Sequence, residues 1–98
     1  MRFRGDAGSN AVFKALADPT RRQIVQMLRD GPLSSGEIAE KFPSAWPTVS
    51  RHLAVLRDAG LISAERNGNS IQYELNATVI QDLVAHIFDW TKQGGGNA

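Results

Sequence analysis

The chain contains no cysteine. Disulfides, thiol redox chemistry and every cysteine-based zinc or thiol-sensing site are therefore excluded together. No segment approaches the ~18 apolar residues of a membrane-spanning helix, so no membrane insertion is expected. The first ten residues, MRFRGDAGSN, have no apolar core of the kind a signal peptide needs. A cytoplasmic protein is the expectation. There is no internal repeat, no convergent carboxylate pair and no phosphate-binding loop, and the two histidines fall on different helices. An enzyme is not expected, nor is any cofactor. Net charge is also scarce, at +1, which alone argues only weakly for a polyanionic partner. Residues 1–30 carry six Lys/Arg against three Asp. A solvated surface of mixed charge would give the same figures.

What is present is organised for one domain. Ninety-eight residues can build one modest core, and a core of that size is often marginal without a partner subunit. Residues 1–9 are polar and read as a flexible tail, as do residues 93–98, leaving 10–92 as the folded unit. NAVFKALA places Val12, Phe13 and Leu16 on one side of a short helix. Asp18 then Pro19 is a helix start, a capping carboxylate before proline at the first helical position. The helix that follows buries Ile24, Met27 and Leu28, and Gly31-Pro32 ends it. Ser34 or Ser35 can cap the next helix, which buries Ile38, Ala39 and Phe42. A longer helix runs from about Trp46 to Ala59 on a stripe of Val49, Leu53 and Leu56, with Gly60 just past its end.

The period then changes. LISAERNGNSIQYEL reads as two strands around Asn67-Gly68-Asn69, because Asn-Gly tolerates positive φ at both residues. Asn76 can cap a last helix. Its apolar residues, including Val79, Ile80, Leu83, Val84, Ile87, Phe88 and Trp90, cover more than one narrow stripe, so a second face is expected to meet another subunit. Four helices, a hairpin and a fifth helix make a mainly α fold with a small β-hairpin: a winged helix-turn-helix of about five helices and a two-stranded wing.

Four motifs occur in order: ALADPTRRQIV, GEIAEKF, PTVSRHLAVLRDAGLI and a wing ending in YEL. Together they resemble the ArsR family of bacterial winged-helix repressors, over roughly Asn10 to Trp90. The brevity, the missing cysteines and LNATVIQDLV are most similar to the SdpR-like autorepressor branch. The resemblance implies a homodimer built from the first and last helices, bound to palindromic operator DNA. Many members sense metals. The Cys-x-Cys site of the family is absent here, and where the last helix would begin with Asp-x-His this chain has Asn76 and Thr78. His86 with Asp82 or Asp89 supplies too few ligands for zinc, so no metal effector is expected. Derepression is left to a protein or small molecule of unknown identity, or to concentration.

The long helix holds the chemistry. A recognition helix presents its N-terminal residues to base edges in the major groove. Outside the apolar stripe those residues are Pro47, Thr48, Ser50 and Arg51, with His52 at the edge. Arg51 can donate two bonds to guanine O6 and N7. Trp46 stands where the family usually has a polar residue. It either packs on Phe42 or Pro43 to brace the turn, or faces a deoxyribose or a thymine methyl. Ser44 is left to cap the helix one residue early. In the wing, Arg66, Asn67, Gly68 and Asn69 can reach the backbone or minor groove, although Arg66 could equally pair with Glu65 or Glu74. Of Arg21 and Arg22, one is expected to be structural and the other, Arg22, to touch phosphate. Ser35 and Gly36 are candidates to meet the backbone where the first helix of the motif crosses it. Val12, Phe13, Leu16, Leu83, Ile87, Phe88 and Trp90 are the expected dimer residues. The alternative to a DNA-binding repressor is a winged-helix protein-interaction module, since fold does not fix function.

Overall fold

The computed structural model describes the backbone of residues 6–90 and the side chains of residues 10–89. Five helices and three strands follow in the order α1 (Asp6–Leu16), α2 (Pro19–Leu28), β1 (Leu33–Ser34), α3 (Ser35–Ala39), α4 (Trp46–Asp58), β2 (Ile62–Asn67), β3 (Ser70–Leu75) and α5 (Ala77–Trp90). This is the expected winged helix-turn-helix, with two additions. The sheet has a third strand, antiparallel in the order β1-β3-β2, because Leu33 and Ser34 pair with Tyr73 and Gln72. Helix α1 begins at Asp6, inside the stretch read as a tail. Residues 1–5 and the expected tail at 93–98 lie outside the described residues.

Each helix boundary has a local cause. Asp18 caps α2, its Oδ2 accepting from the Arg21 N–H at 3.1 Å, with Pro19 pre-set for helical φ. Ser34, not Ser35, caps α3. Its Oγ accepts from the Glu37 N–H, and Glu37 Oε1 accepts from the Ser34 N–H, which satisfies two end donors reciprocally. Helix α4 has Ala45 at its N-cap with no side-chain bond, so Ser44 does not cap it. Its other end closes on Gly60 at φ +81. Gly60 N–H donates to Arg57 O and Leu61 N–H to Leu56 O, the paired bonds of a Schellman motif, with Leu56 and Leu61 both fully buried beside them.

The core gathers one stripe from each element. Ile24, Ile38, Val49, Leu53, Leu56 and Leu61 are essentially inaccessible to solvent. Met27, Ala39 and Phe42 are only half-buried, on the margins of the stripes that hold Ile24 and Ile38. Asn76 ties the wing to this core. Its N–H donates to Leu61 O, and its side-chain amide donates to Gly60 O. The Asn76 amide thus bridges to the end of α4 as well as standing before α5.

The wing turn sits one residue later than Asn-Gly would place it. Asn67 pairs with Ser70 as the last rung of the ladder, so Gly68 and Asn69 are the two loop residues. Gly68 has φ +66, and among the described residues no non-glycine residue has positive φ. That is the pattern of a type II′ turn, which needs glycine only at its first central position.

Candidate nucleic-acid interface

Helix α4 separates its core and solvent sides cleanly. Val49, Leu53 and Leu56 are buried, whereas Trp46, Pro47, Thr48 and Arg51 are exposed and Ser50 is half-buried. At 100° per residue, Arg51 and Pro47 lie nearly opposite the buried stripe. Arg51 forms no hydrogen bond or ion pair among the described residues. Its five donors are therefore available to an acceptor outside the protomer.

His52 departs from this face. Its ring is largely buried between α4 and the start of α2, with Nδ1 3.3 Å from Arg21 Nη1 and 3.9 Å from Asp18 Oδ2. The edge of the apolar stripe points there, toward the α1–α2 junction, so His52 cannot share the outward surface of Arg51. In the neutral ring protonated on Nε2, Nδ1 accepts from Arg21; a protonated ring would offer a donor to Asp18 instead. Desolvation pushes the Asp18 carboxyl up. The Arg21 N–H bond, the His52 ring, the Thr20 N–H and the Arg21 guanidinium outweigh it and hold that carboxyl below its ordinary value.

Both arginines of α2 turn back onto the end of α1. Arg21 Nε donates to Ala15 O at 2.6 Å and its Nη2 to Lys14 O at 3.0 Å. Arg22 Nη1 donates to Leu16 O at 2.8 Å. Three carbonyls of the last turn of α1 thereby accept from cations, although Lys14 O also accepts from the Ala17 N–H. Arg22 commits Nη1 to this cap while its side chain stays exposed. Arg21 is structural as expected, its side chain spent on the Ala15 and Lys14 carbonyls.

At the wing, Arg66, Asn67, Gly68 and Asn69 are all exposed. Ser70 Oγ bonds to Asn67 O across the turn. Arg66 makes no ion pair with a described residue, and the pleat explains why. Arg66 stands opposite Ile71, two residues beyond Ala64, which pairs with buried Tyr73. Side chains alternate between faces, so Arg66 shares the register of Ala64 on the helix-facing side, while Glu65 and Glu74 line a polar groove with Ser63 and Gln72 that Arg66 and Asn67 also border near the wing tip. The expected pairing of Arg66 with either glutamate does not form.

Trp46 is 41% exposed. It lines a shallow groove with Ser35, Gly36 and Ala39, which places the indole beside the first turn of α3. Ser35 therefore joins the α4 surface through this groove.

The expected dimer residues divide. Val12, 1% exposed, and Leu83 belong to the protomer's own core, because they lie at the centre of their helix stripes. Phe13 and Leu16 are half-buried against it. Ile87 and Phe88 are 40% and 64% exposed. Val84, 48% exposed, joins them at i, i+3, i+4 spacing; that spacing was available to single it out. The Trp90 side chain lies outside the described residues. Among the described residues, no three His, Cys, Asp or Glu side chains converge to hold a metal ion, and no helix is long and apolar enough to cross a membrane.

Residues 18–64 match the family described as bacterial regulatory protein, arsR family. Over 85 residues the chain is 44% identical to the transcriptional repressor SdpR of Bacillus subtilis (strain 168), spanning 87% of this chain and 94% of that protein. It is 46% identical over 71 residues to the HTH-type transcriptional regulator Rv2034 of Mycobacterium tuberculosis (strain ATCC 25618 / H37Rv), spanning 72% of this chain and 66% of that one. The crystal structure of the ArsR family transcriptional regulator RHA00566 superposes with a TM-score of 0.85 at 27% identity, covering 97% of each chain. A winged helix-turn-helix with this identity along almost its whole length belongs to the arsR family of bacterial regulatory proteins, and the chain is a DNA-binding transcriptional regulator rather than an enzyme.

Proposed function

We propose that this regulator is a cytoplasmic repressor that binds a pseudo-palindromic operator as a homodimer and controls its own promoter. The observation that carries the DNA-reading surface is the pair of arginines without partners among the described residues. Arg51 lies on the outer side of α4 and Arg66 on the helix-facing side of the wing. In this reading Arg51 contacts a guanine, Thr48 and Ser50 approach neighbouring base edges, and Arg66 with the Asn67–Asn69 tip reaches the flanking backbone or minor groove. Ser35 meets the strand that α3 crosses.

The second copy docks on the stripe of Val84, Ile87 and Phe88, with Phe13 and Leu16 at its margin. Exposed apolar surface of this kind on a small domain marks an interaction face. Two recognition helices would then stand about 34 Å apart, one turn of DNA. Similarity to SdpR, a transcriptional repressor, supports repression. Family membership weighs against a winged-helix module that binds only proteins.

The test is fluorescence anisotropy on duplex from upstream of the chain's own gene and on shuffled duplex, at two salt concentrations. Preference for its own promoter at physiological salt is expected. Arg51→Ala should lose about 1–3 kcal/mol at one base pair, with specificity relaxed there. An Arg51→Ala protein that binds as tightly and as selectively as wild type would rule out the assignment of α4.

A further inference from the structure

The groove between α3 and the start of α4 is shaped by a glycine that the fold does not require. Gly36 lies within α3 and is not among the glycines of positive φ. A Cβ built there would meet only Ser34 Oγ, at 3.9 Å, an ordinary contact. Alanine is the better helix former at such a position. The missing side chain therefore serves the surface rather than the interior. That surface is a groove of about 150 Å³ whose other walls are Ser35, Ala39 and the Trp46 indole. The indole keeps 41% of its surface exposed and adjoins Pro47 and Thr48 at the outer start of α4.

We propose that this groove receives the 5-methyl group of one thymine per bound recognition helix, held between the Trp46 ring and the Gly36 backbone. The inference rests on α4 being the DNA-reading helix. The thymine methyl is the apolar group that base edges display in the major groove, and the groove opens beside residues placed to enter it. A side chain at position 36 would occupy the space the methyl takes. Trp46 thus becomes a specificity-determining residue, reading thymine where Arg51 reads guanine.

Duplexes enriched from a random-sequence pool by the purified wild-type protein provide the probe. Each thymine in turn is replaced by deoxyuridine, which removes only the methyl, and binding is followed by anisotropy. One position per half-site should weaken by about fourfold, the value of burying one such group. In Gly36→Ala and in Trp46→Ala, thymine and deoxyuridine should bind equally at that position. Gly36→Ala tests the groove without disturbing the fold, because its Cβ meets no close neighbour. Enriched duplexes insensitive to every methyl would overturn the proposal and leave the DNA-reading helix intact. A uniform loss in both variants without methyl dependence would also overturn it, in favour of a sugar contact. A pool in which no sequence is enriched would remove both readings together.

Discussion

Replacing Arg21 with alanine should destabilise the fold by about 2 kcal/mol, while the same change at Arg51 leaves stability unaltered. The magnitude follows from what each guanidinium touches. Arg21 makes two charge-assisted bonds to the carbonyls of Ala15 and Lys14 and approaches His52. Hydrogen bonds to charged groups contribute ~1.5–3 kcal/mol each. The Lys14 bond is solvent-exposed, so water replaces it at little cost. The Ala15 bond is partly buried and keeps about 2 kcal/mol of the total. For a domain of this size that lowers Tm by roughly 10 °C. Arg51 has no partner among the described residues, and exposed positions of that kind change stability by less than about 0.5 kcal/mol. Urea denaturation of the two variants and wild type, at one protein concentration, reads both numbers. If Arg21→Ala unfolds at the wild-type midpoint, the carbonyl cap on α1 carries no weight. If Arg51→Ala falls as far as Arg21→Ala, the separation of structural from DNA-facing arginines is wrong.

Val84→Glu should convert the proposed dimer to a monomer in sedimentation equilibrium with helical circular dichroism unchanged; a dimer that survives would exclude the α5 stripe as its interface. The acid limb of stability should flatten in Asp18→Asn. The folded carboxyl titrates below its unfolded value, so its contribution is complete above that unfolded value, about 3.9, and is lost as pH falls through the lower folded value. Asparagine keeps the cap acceptor, so the wild-type advantage in urea midpoint should be steady near pH 6 and vanish in acid; parallel curves would contradict the charge argument. Arg66→Ala should reduce the log–log salt dependence of DNA binding by about 0.9 for each phosphate released, and an unchanged slope would take the wing off the backbone.

The helix boundaries were legible because their signals are local. Asp18-Pro19 and Ser34 start helices and Gly60 ends one, each acting within a few residues, whereas Ser44 does not cap α4. The other departures need more than local signals. Leu33-Ser34 is too short to read as a strand and becomes one only because β3 lies beside it. Helix α1 reaches back to Asp6 through a stretch without apolar periodicity, where pattern gives no reason to start a helix. The turn shifted by one residue because Asn67 completes the ladder with Ser70, and Gly68 alone meets the positive-φ requirement of the loop. His52 lay at the edge of a helical stripe. An edge residue turns toward whichever neighbour offers polar partners, and only the packing of α2 on α4 places Asp18 and Arg21 there.

The charge map of the sequence was a poor guide to the DNA-facing surface for a related reason. Its positive excess falls in residues 1–30, yet Arg21 and Arg22 within that stretch are engaged by carbonyls at the end of α1. Arg29 and Arg57 each lie within 4.0 Å of the adjacent aspartate. Those exposed contacts add little stability, but they neutralise each cation where it stands. Among the described arginines this leaves Arg51 and Arg66, both from the less basic half of the chain. A regulator with a net charge of +1 gains limited affinity from phosphate alone. In the proposed reading its discrimination comes from contacts that depend on base identity, led at the start of α4 by the Arg51 fork and the Trp46 groove.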